Sequence, residues 1–353
     1  MASSADTSSP PSPAFVAAFR REARGGDRLR FDAFMRLALY DPALGYYRGD
    51  RRRVGRDRSA DFYTATSLGP IFGELVASAC AKLLRDAKLD PAAHTFVEIG
   101  AEPSGGVLDQ VSAHPFAATR TLRLGDELAL SGRCVVFSNE LFDAQPVRRF
   151  VRREERWHEL GVALGPADTL AEADLGPAPD TLLPHLPPLE ETPPGYHFDA
   201  PLEAAALASR LAAEPWEGLF VAFDYGKFFA ELCHSVPAGT LRAYHRHEQG
   251  NDLLARPGEQ DLTAHVCWDW LLAPFVPHAS AAHPPQVVSQ ESFFMHHAGE
   301  HLAAVLAREA RASLASPAKR ALMHLLHPAQ MGQKFQVLHA LKSIPASDSA
   351  PAA

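Results

Sequence analysis

The chain has 353 residues, of which 46% are hydrophobic and 22% charged, with a formal net charge of -8 from 42 acidic and 34 basic side chains. This balance argues against a general nucleic-acid binder, which is ordinarily basic, and no apolar run reaches the roughly 18 residues that span a membrane. Cys80, Cys134, Cys233 and Cys267 are far apart and form no CxxC pair, so reduced, buried thiols are expected rather than a metal knuckle or disulfide framework.

In chain order, residues 1–13 are small, polar and rich in Pro and Ser, without the apolar core of a secretory signal. They read as a disordered tail, as do residues 343–353, and a cytoplasmic location follows by default. Residues 14–90 read as a helical region. Phe31, Phe34, Met35, Ala38 and Leu39 share one helical face, which ends in a turn from Tyr40 to Tyr47 containing Pro42 and Gly45. The arginine-rich stretch Arg48, Arg51, Arg52, Arg53, Arg56 and Arg58 reads as a solvated loop or as a flap for an acidic partner. Ser67 is a candidate N-cap for the apolar stripe Ile71, Phe72, Leu75, Val76, Ala79 and Cys80.

Residues 91–230 read as the core. Thr95 to Ile99 is a short buried strand, followed by a turn containing Gly100, Gly105 and Gly106 and by a helix through Val111. Further strands are expected within Thr119 to Leu124 and Cys134 to Ser138. A hairpin is expected from Val147 to Val151 and Trp157 to Val162. Eight prolines between Gly165 and Gly195 predict an irregular excursion over 165–200. A helix over Leu202 to Ala213 and the strand Leu219 to Phe223 follow, and residues 231–342 complete the sheet and its substrate side. Strands alternating with helices imply an α/β fold with a mostly parallel sheet, whose ligands bind outside the carboxyl ends of the strands.

Glu98, Asn139, Glu140 and Asp224 all fall at or near such ends. Each also has a purely structural reading. Glu98 with Gly100 is a strand end with a tight turn, Asn139 or Asp143 is a helix cap, and Asp224 caps the next helix. Arg242 and Tyr244 read either as a stacked pair near a cleft or as part of an exposed strand of alternating polar residues. His245, His247, His296 and His297 lack the spacing of a metal site, so no metal is expected. The sequence has no GxSxG, HExxH or GxxxxGK[ST] motif.

Several segments together resemble the MidA-like methyltransferases, the family of the mitochondrial complex I assembly factor that methylates an arginine. They are Phe31 to Tyr47 (FDAFMRLALYDPALGYY), Asp61 to Glu74 (DFYTATSLGPIFGE), Phe96 to Gly100 (FVEIG) and Ser138 to Phe150 (SNELFDAQPVRRF). Phe223 to Gly226 (FDYG), Gly239 to Tyr244 (GTLRAY), Pro257 to Val266 (PGEQDLTAHV) and His327 to Leu338 (HPAQMGQKFQVL) follow in the family's order. The resemblance implies a Rossmann-like, seven-stranded class I methyltransferase sheet with S-adenosyl-L-methionine as cofactor and an arginine-bearing protein as partner, with neither nucleic acid nor membrane insertion.

It also implies donor binding near Asp61, Thr64, Glu98, Gly100 and Gly105; Asp126 or Glu127 would either replace the family's ribose carboxylate or belong to what was its third strand. Asn139, Glu140 and Asp143 would stand at the transferring methyl, and Asp224, Tyr225, Asp261 and Thr263 on the acceptor side. Three departures from the family pattern touch the donor half. The turn carries Glu102 and Pro103 where the family has a GxGxG-like run, Ala60 replaces a glycine before Asp61, and only 41 positions separate Glu98 from Asn139, which predicts a lost or shortened strand-helix pair. A catalytically degenerate, partner-docking relative is the alternative reading. A nicotinamide oxidoreductase would share the sheet but lacks GxGxxG.

Overall fold

The computed structural model describes residues 10–48, 68–101, 103, 105–246, 248–311, 313 and 316–343. Asp61, Thr64, Ala60, Ser67, Glu102, His247 and the arginines from Arg51 to Arg58 lie outside the described residues. The chain divides into two compact units with interleaved segments, one of residues 1–63, 143–204 and 227–267, the other of 64–142, 205–226 and 268–353.

The second unit holds the central sheet. Its order is Gln286–Ser289, Gln336–Lys342, Trp216–Asp224, Gly132–Asn139, Thr95–Ile99, Ala118–Leu122. The last four strands are mutually parallel, and Gln336–Lys342 runs antiparallel to both its neighbours. The fold is therefore mixed α/β, with six strands in this sheet among the described residues where seven were expected. The short interval from Glu98 to Asn139 accounts for the difference. Only nine residues connect Leu122 to Gly132, fewer than the dozen or more that a parallel crossover with a helix needs.

The helix expected after Gly106 is likewise replaced by turns. Pro103 removes a backbone donor, and Asp109 Oδ2 accepts the Gly106 N–H at 2.7 Å. Continuous apolar runs fill the central parallel strands, which are covered on both faces. Trp216–Asp224 is buried at all but one position. The helix Pro70–Asp86 lays its Phe72, Leu75, Val76 and Ala79 stripe into this core with Phe96, Phe137 and Phe223. Gly73 permits this approach, since a Cβ there would lie 2.2 Å from the Val107 carbonyl oxygen.

The first unit is built on antiparallel strands. Arg28–Arg30, Arg156–Leu164, Arg148–Arg153 and His197–Ala200 follow one another, and Leu170–Pro177 also pairs with Arg156–Leu164. The Pro-rich excursion is thus less irregular than expected. Its prolines cluster from Pro177 onward and leave Leu170 to Gly176 free to pair. Buried Arg149 bonds Asp199 at 2.6 Å and Glu172 at 3.1 Å, while Asp199 also accepts the Thr240 and Leu241 N–H groups. A buried cation survives where its hydrogen bonds are met in this way. The helices Pro13–Glu22 and Phe31–Tyr40 pack Phe15, Phe19, Phe34 and Met35 into a core with Val147, Val162 and Leu262.

Candidate active site

In the second unit the parallel strands deliver their ends to one edge. Ser138 pairs with Ile99 and Ala222, and Asn139 pairs with Phe223. Gly100 has φ +81°, which favours glycine, and its N–H donates to the Leu122 carbonyl at 2.8 Å. Gly105 has φ +135°, and a Cβ there would meet Asp109 Oδ2 at 2.7 Å. Glu98 is 6% exposed and accepts the Val107 N–H at 2.6 Å. Burial pushes its carboxyl up to about 7, the Val107 bond opposes this, and nearby Asp109 adds to it.

This shift gives Glu98 a measurable signature. The folded pKa is above the unfolded value, so the native state binds the extra proton between about pH 4.5 and 7. Stability is therefore lost as pH rises through that window, by at most roughly 3 kcal/mol. Glu98→Gln should raise the urea midpoint at pH 8 and leave it nearly unchanged at pH 5. An equal loss of stability at both values would refute the assignment of a strained carboxylate.

Asn139 Nδ2 donates to Glu140 Oε1 at 2.8 Å, while Asn139 Oδ1 and Ser138 Oγ are buried with no hydrogen-bond partner among the described residues. Buried polar atoms are rarely left so, and a bound ligand is one remedy. Glu140 has φ +51°, the left-handed region that a glutamate enters at a cost of about 1–3 kcal/mol. Its N–H is fixed on the Phe223 carbonyl at 2.9 Å. Such strain concentrates at functional positions.

The other expected residues take varied places. Asp126 sits in the exposed turn after Leu122 and accepts the Arg123 N–H at 2.8 Å. Asp224 is fully buried and accepts the Phe142 N–H at 2.9 Å and the Tyr225 N–H at 2.8 Å. It thus shapes the loop after Asn139. Tyr225 packs on Phe335 with ring centroids 4.0 Å apart.

Asp143, Asp261 and Thr263 belong to the first unit. Asp143 and Asp261 are each 4% exposed. The Asp143 carbonyl accepts the Ala264 N–H at 2.9 Å, and Asp261 accepts the Tyr47 hydroxyl at 2.8 Å. Thr263 is half-buried opposite Arg242. Sequence reasoning missed Ser138, whose hydroxyl could have been suspected from its place just before Asn139. It also missed Tyr40 and Tyr47, whose repetition around an Asp-Pro-Ala-Leu-Gly turn was the available signal.

A parallel sheet that opens on a strand and a glycine turn, and that presents acid and amide side chains at its carboxyl edge, defines the α/β proteins that hold a nucleotide-bearing cofactor there. Comparison with known proteins narrows the class. Residues 118–282 match the family model of S-adenosyl-L-methionine-dependent methyltransferases. The mitochondrial protein arginine methyltransferase NDUFAF7 of Danio rerio is 24% identical over 375 residues, covering 88% of this chain and 82% of that protein. Its Drosophila melanogaster homologue, also mitochondrial, is 24% identical over 364 residues, covering 86% and 79%.

Among solved structures, a Burkholderia thailandensis protein crystallised with S-adenosyl-homocysteine superimposes with a TM-score of 0.79 at 25% identity, covering 97% of each chain. A native structure of an uncharacterized superfamily protein from the same organism gives a TM-score of 0.77 at 25% identity, covering 97% of this chain and 96% of that one. Over most of its length the chain is therefore similar to S-adenosylmethionine-dependent methyltransferases. The cytoplasmic location expected by default is corrected by these matches, since both curated relatives are mitochondrial. The missing secretory core spoke only against secretion and did not choose between the remaining compartments.

Proposed function

We propose that the protein transfers a methyl group from S-adenosyl-L-methionine to an arginine guanidinium of a protein substrate. The observation that carries this reading is the Asn139-Glu140 corner. A strained glutamate and a buried, unpartnered amide oxygen stand together at the carboxyl end of a central parallel strand. The residues fit the donor. Gly100 leaves backbone at a φ that favours glycine, and Asn139 Oδ1 offers a buried acceptor. Glu98, Gly100 and Gly105 would hold the amino-acid tail and Asp126 the ribose, with Asp61 and Thr64 contributing from outside the described residues.

When bound, the donor supplies an electrophilic methyl on a sulfonium. The protein's own part is positioning, which dominates in-line displacements. A guanidinium stays protonated at neutral pH, so a carboxylate such as that of Glu140 binds it through paired hydrogen bonds, orients one nitrogen and takes the proton that this nitrogen loses as the methyl leaves the sulfonium sulfur. Asn139 fixes that carboxylate through its 2.8 Å bond. The family resemblance further supports acceptor-side roles for Asp143, Asp224, Tyr225, Asp261 and Thr263.

A second reading, that of a degenerate relative docking a partner protein, has its own support. Two N–H groups of the glycine turn, those of Gly106 and Val107, are already taken by Asp109 and Glu98. Calorimetric titration with S-adenosylmethionine and S-adenosylhomocysteine separates the two. Micromolar binding, equivalent to about -8 kcal/mol, is expected. No heat at millimolar ligand would defeat the enzyme reading and favour the docking module.

A further inference from the structure

In the first unit the strand Arg242–His245 pairs antiparallel with Asp261–Thr263, Arg242 opposite Thr263 and Ala243 opposite Leu262. Leu241, Ala243, Leu262 and Ala264 enter the apolar core of that unit. Side chains alternate across a strand, so Arg242 and Thr263 are turned to the other face. There Arg242 curls back along its own chain. Its Nη1 donates to the Leu241 carbonyl at 2.6 Å and to the Gly239 carbonyl at 3.3 Å, which holds the guanidinium beside Thr240 and leaves Nε and Nη2 as a fork. His265 follows two positions after Thr263, and Lys227 ends a short strand paired with Val266–Cys267. Lys227, Thr240, Arg242 and His265 all belong to the first unit.

The nearby acids are already committed. Asp199 accepts Arg149 Nη1 at 2.6 Å and the Thr240 and Leu241 N–H groups at 2.6 and 3.0 Å. Glu231 pairs with Lys227 at 3.4 Å and accepts the Phe228 N–H at 3.2 Å. Among the described residues no carboxylate pairs with Arg242, so its charge is left without a counter-charge. Two neutral groups are left over as well. Thr240 is 2% exposed, and its Oγ1 and the buried Nδ1 of His265 have no hydrogen-bond partner among the described residues. Buried polar atoms are ordinarily satisfied. Burial pushes the His265 imidazole down to about 4, the charges of Lys227 and Arg242 add to this, and those of Asp199 and Glu231 oppose it. The ring is therefore neutral at pH 7 and able to donate from Nδ1.

We propose that Arg242, Lys227, Thr240 and His265 form an oxyanion-binding site in the first unit, which takes a carboxylate or a phosphate group. The Nε and Nη2 fork of Arg242 matches two oxygens of such a group. Lys227 adds a point charge, and Thr240 Oγ1 and His265 Nδ1 supply donors that nothing else uses. A bound anion offsets the two cations that oppose protonation of His265. The imidazole then gains its proton at a higher pH, and by linkage the anion binds more tightly as pH falls.

The test uses the full chain and sodium sulfate, whose charge does not change where histidine titrates, with ionic strength held constant by sodium chloride. The His265 imidazole, followed by NMR, should titrate about one pH unit higher at saturating sulfate than in chloride alone, which corresponds to about tenfold tighter binding to the protonated form. Arg242→Gln should weaken sulfate at least about tenfold, as expected for the loss of a charge-assisted pair of hydrogen bonds. Acetate and inorganic phosphate are the further probes. A matching His265 shift with acetate assigns the site to carboxylates, and a shift with phosphate and sulfate alone assigns it to phosphate groups. A His265 titration that none of the three anions moves overturns the site, and this reading needs no variant to fold. Equal sulfate affinity in folded Arg242→Gln and the wild type overturns it as well.

Discussion

Glu140→Gln is expected to lower methyl transfer to an arginine acceptor by about 10²–10³-fold, the range seen when one preorganised electrostatic partner is removed from an active site. The donor affinity should hardly move, because the proposed donor contacts lie at Glu98, Gly100 and Gly105. Stability should change by less than about 1 kcal/mol, since the main chain keeps its bond to the Phe223 carbonyl. Gln keeps the shape and an acceptor for Asn139 Nδ2, but it loses the charge and the second equivalent oxygen that a paired guanidinium contact uses. Glu140→Gly adds an independent sign. It relieves the φ of +51° and should leave the fold as stable or stabilise it by about 1 kcal/mol, while transfer fails as in the Gln variant. Paired kinetics and urea unfolding check both changes. Full activity in Glu140→Gln would remove this residue from the reaction.

Phe223→Ala is expected to cost about 3–5 kcal/mol, a large part of the 5–15 kcal/mol that holds a typical protein folded. The ring is fully buried and meets Phe72 at 5.5 Å, Phe137 at 5.8 Å, Phe293 at 5.4 Å and Phe294 at 5.5 Å between centroids. These neighbours come from two helices and the adjacent strand, so they cannot collapse together into the void. The same residue pairs with Asn139 and accepts the Glu140 N–H, so the cavity would also loosen the candidate site. Chemical denaturation should show the loss, with donor affinity falling as well. A cost below about 1 kcal/mol would show that the sheet centre does not depend on this aromatic cluster.

The strand Thr95–Ile99 and the helix Leu202–Ala213 have the bounds that their residues predicted. In each case the signal is local. A buried parallel strand is an apolar run, and an amphipathic helix repeats its apolar positions every three or four residues. The left-handed Gly100 was legible for a similar reason, because a turn leaving a strand at that angle favours glycine. The segments that carried the family resemblance could be read for the same cause, since side-chain order along the chain is all that such a comparison uses.

Other features depended on partners that are distant in sequence. The strand Leu170–Pro177 has no period-two burial pattern, and it exists because Arg156–Leu164 offers it unpaired backbone groups. The strain at Glu140 comes from its bond to Phe223, 83 positions away, and the buried setting of Asp261 comes partly from Tyr47, 214 positions away. The sequence by itself determined which segments are strands or helices, where the glycine turn falls and which acids stand at strand ends, because these follow from local periodicity and backbone sterics. Only the tertiary structure decided the six-strand order, the burial of Glu98 and Asp224, and the bond from Tyr47 to Asp261, because register, desolvation and long-range hydrogen bonds arise where remote segments meet.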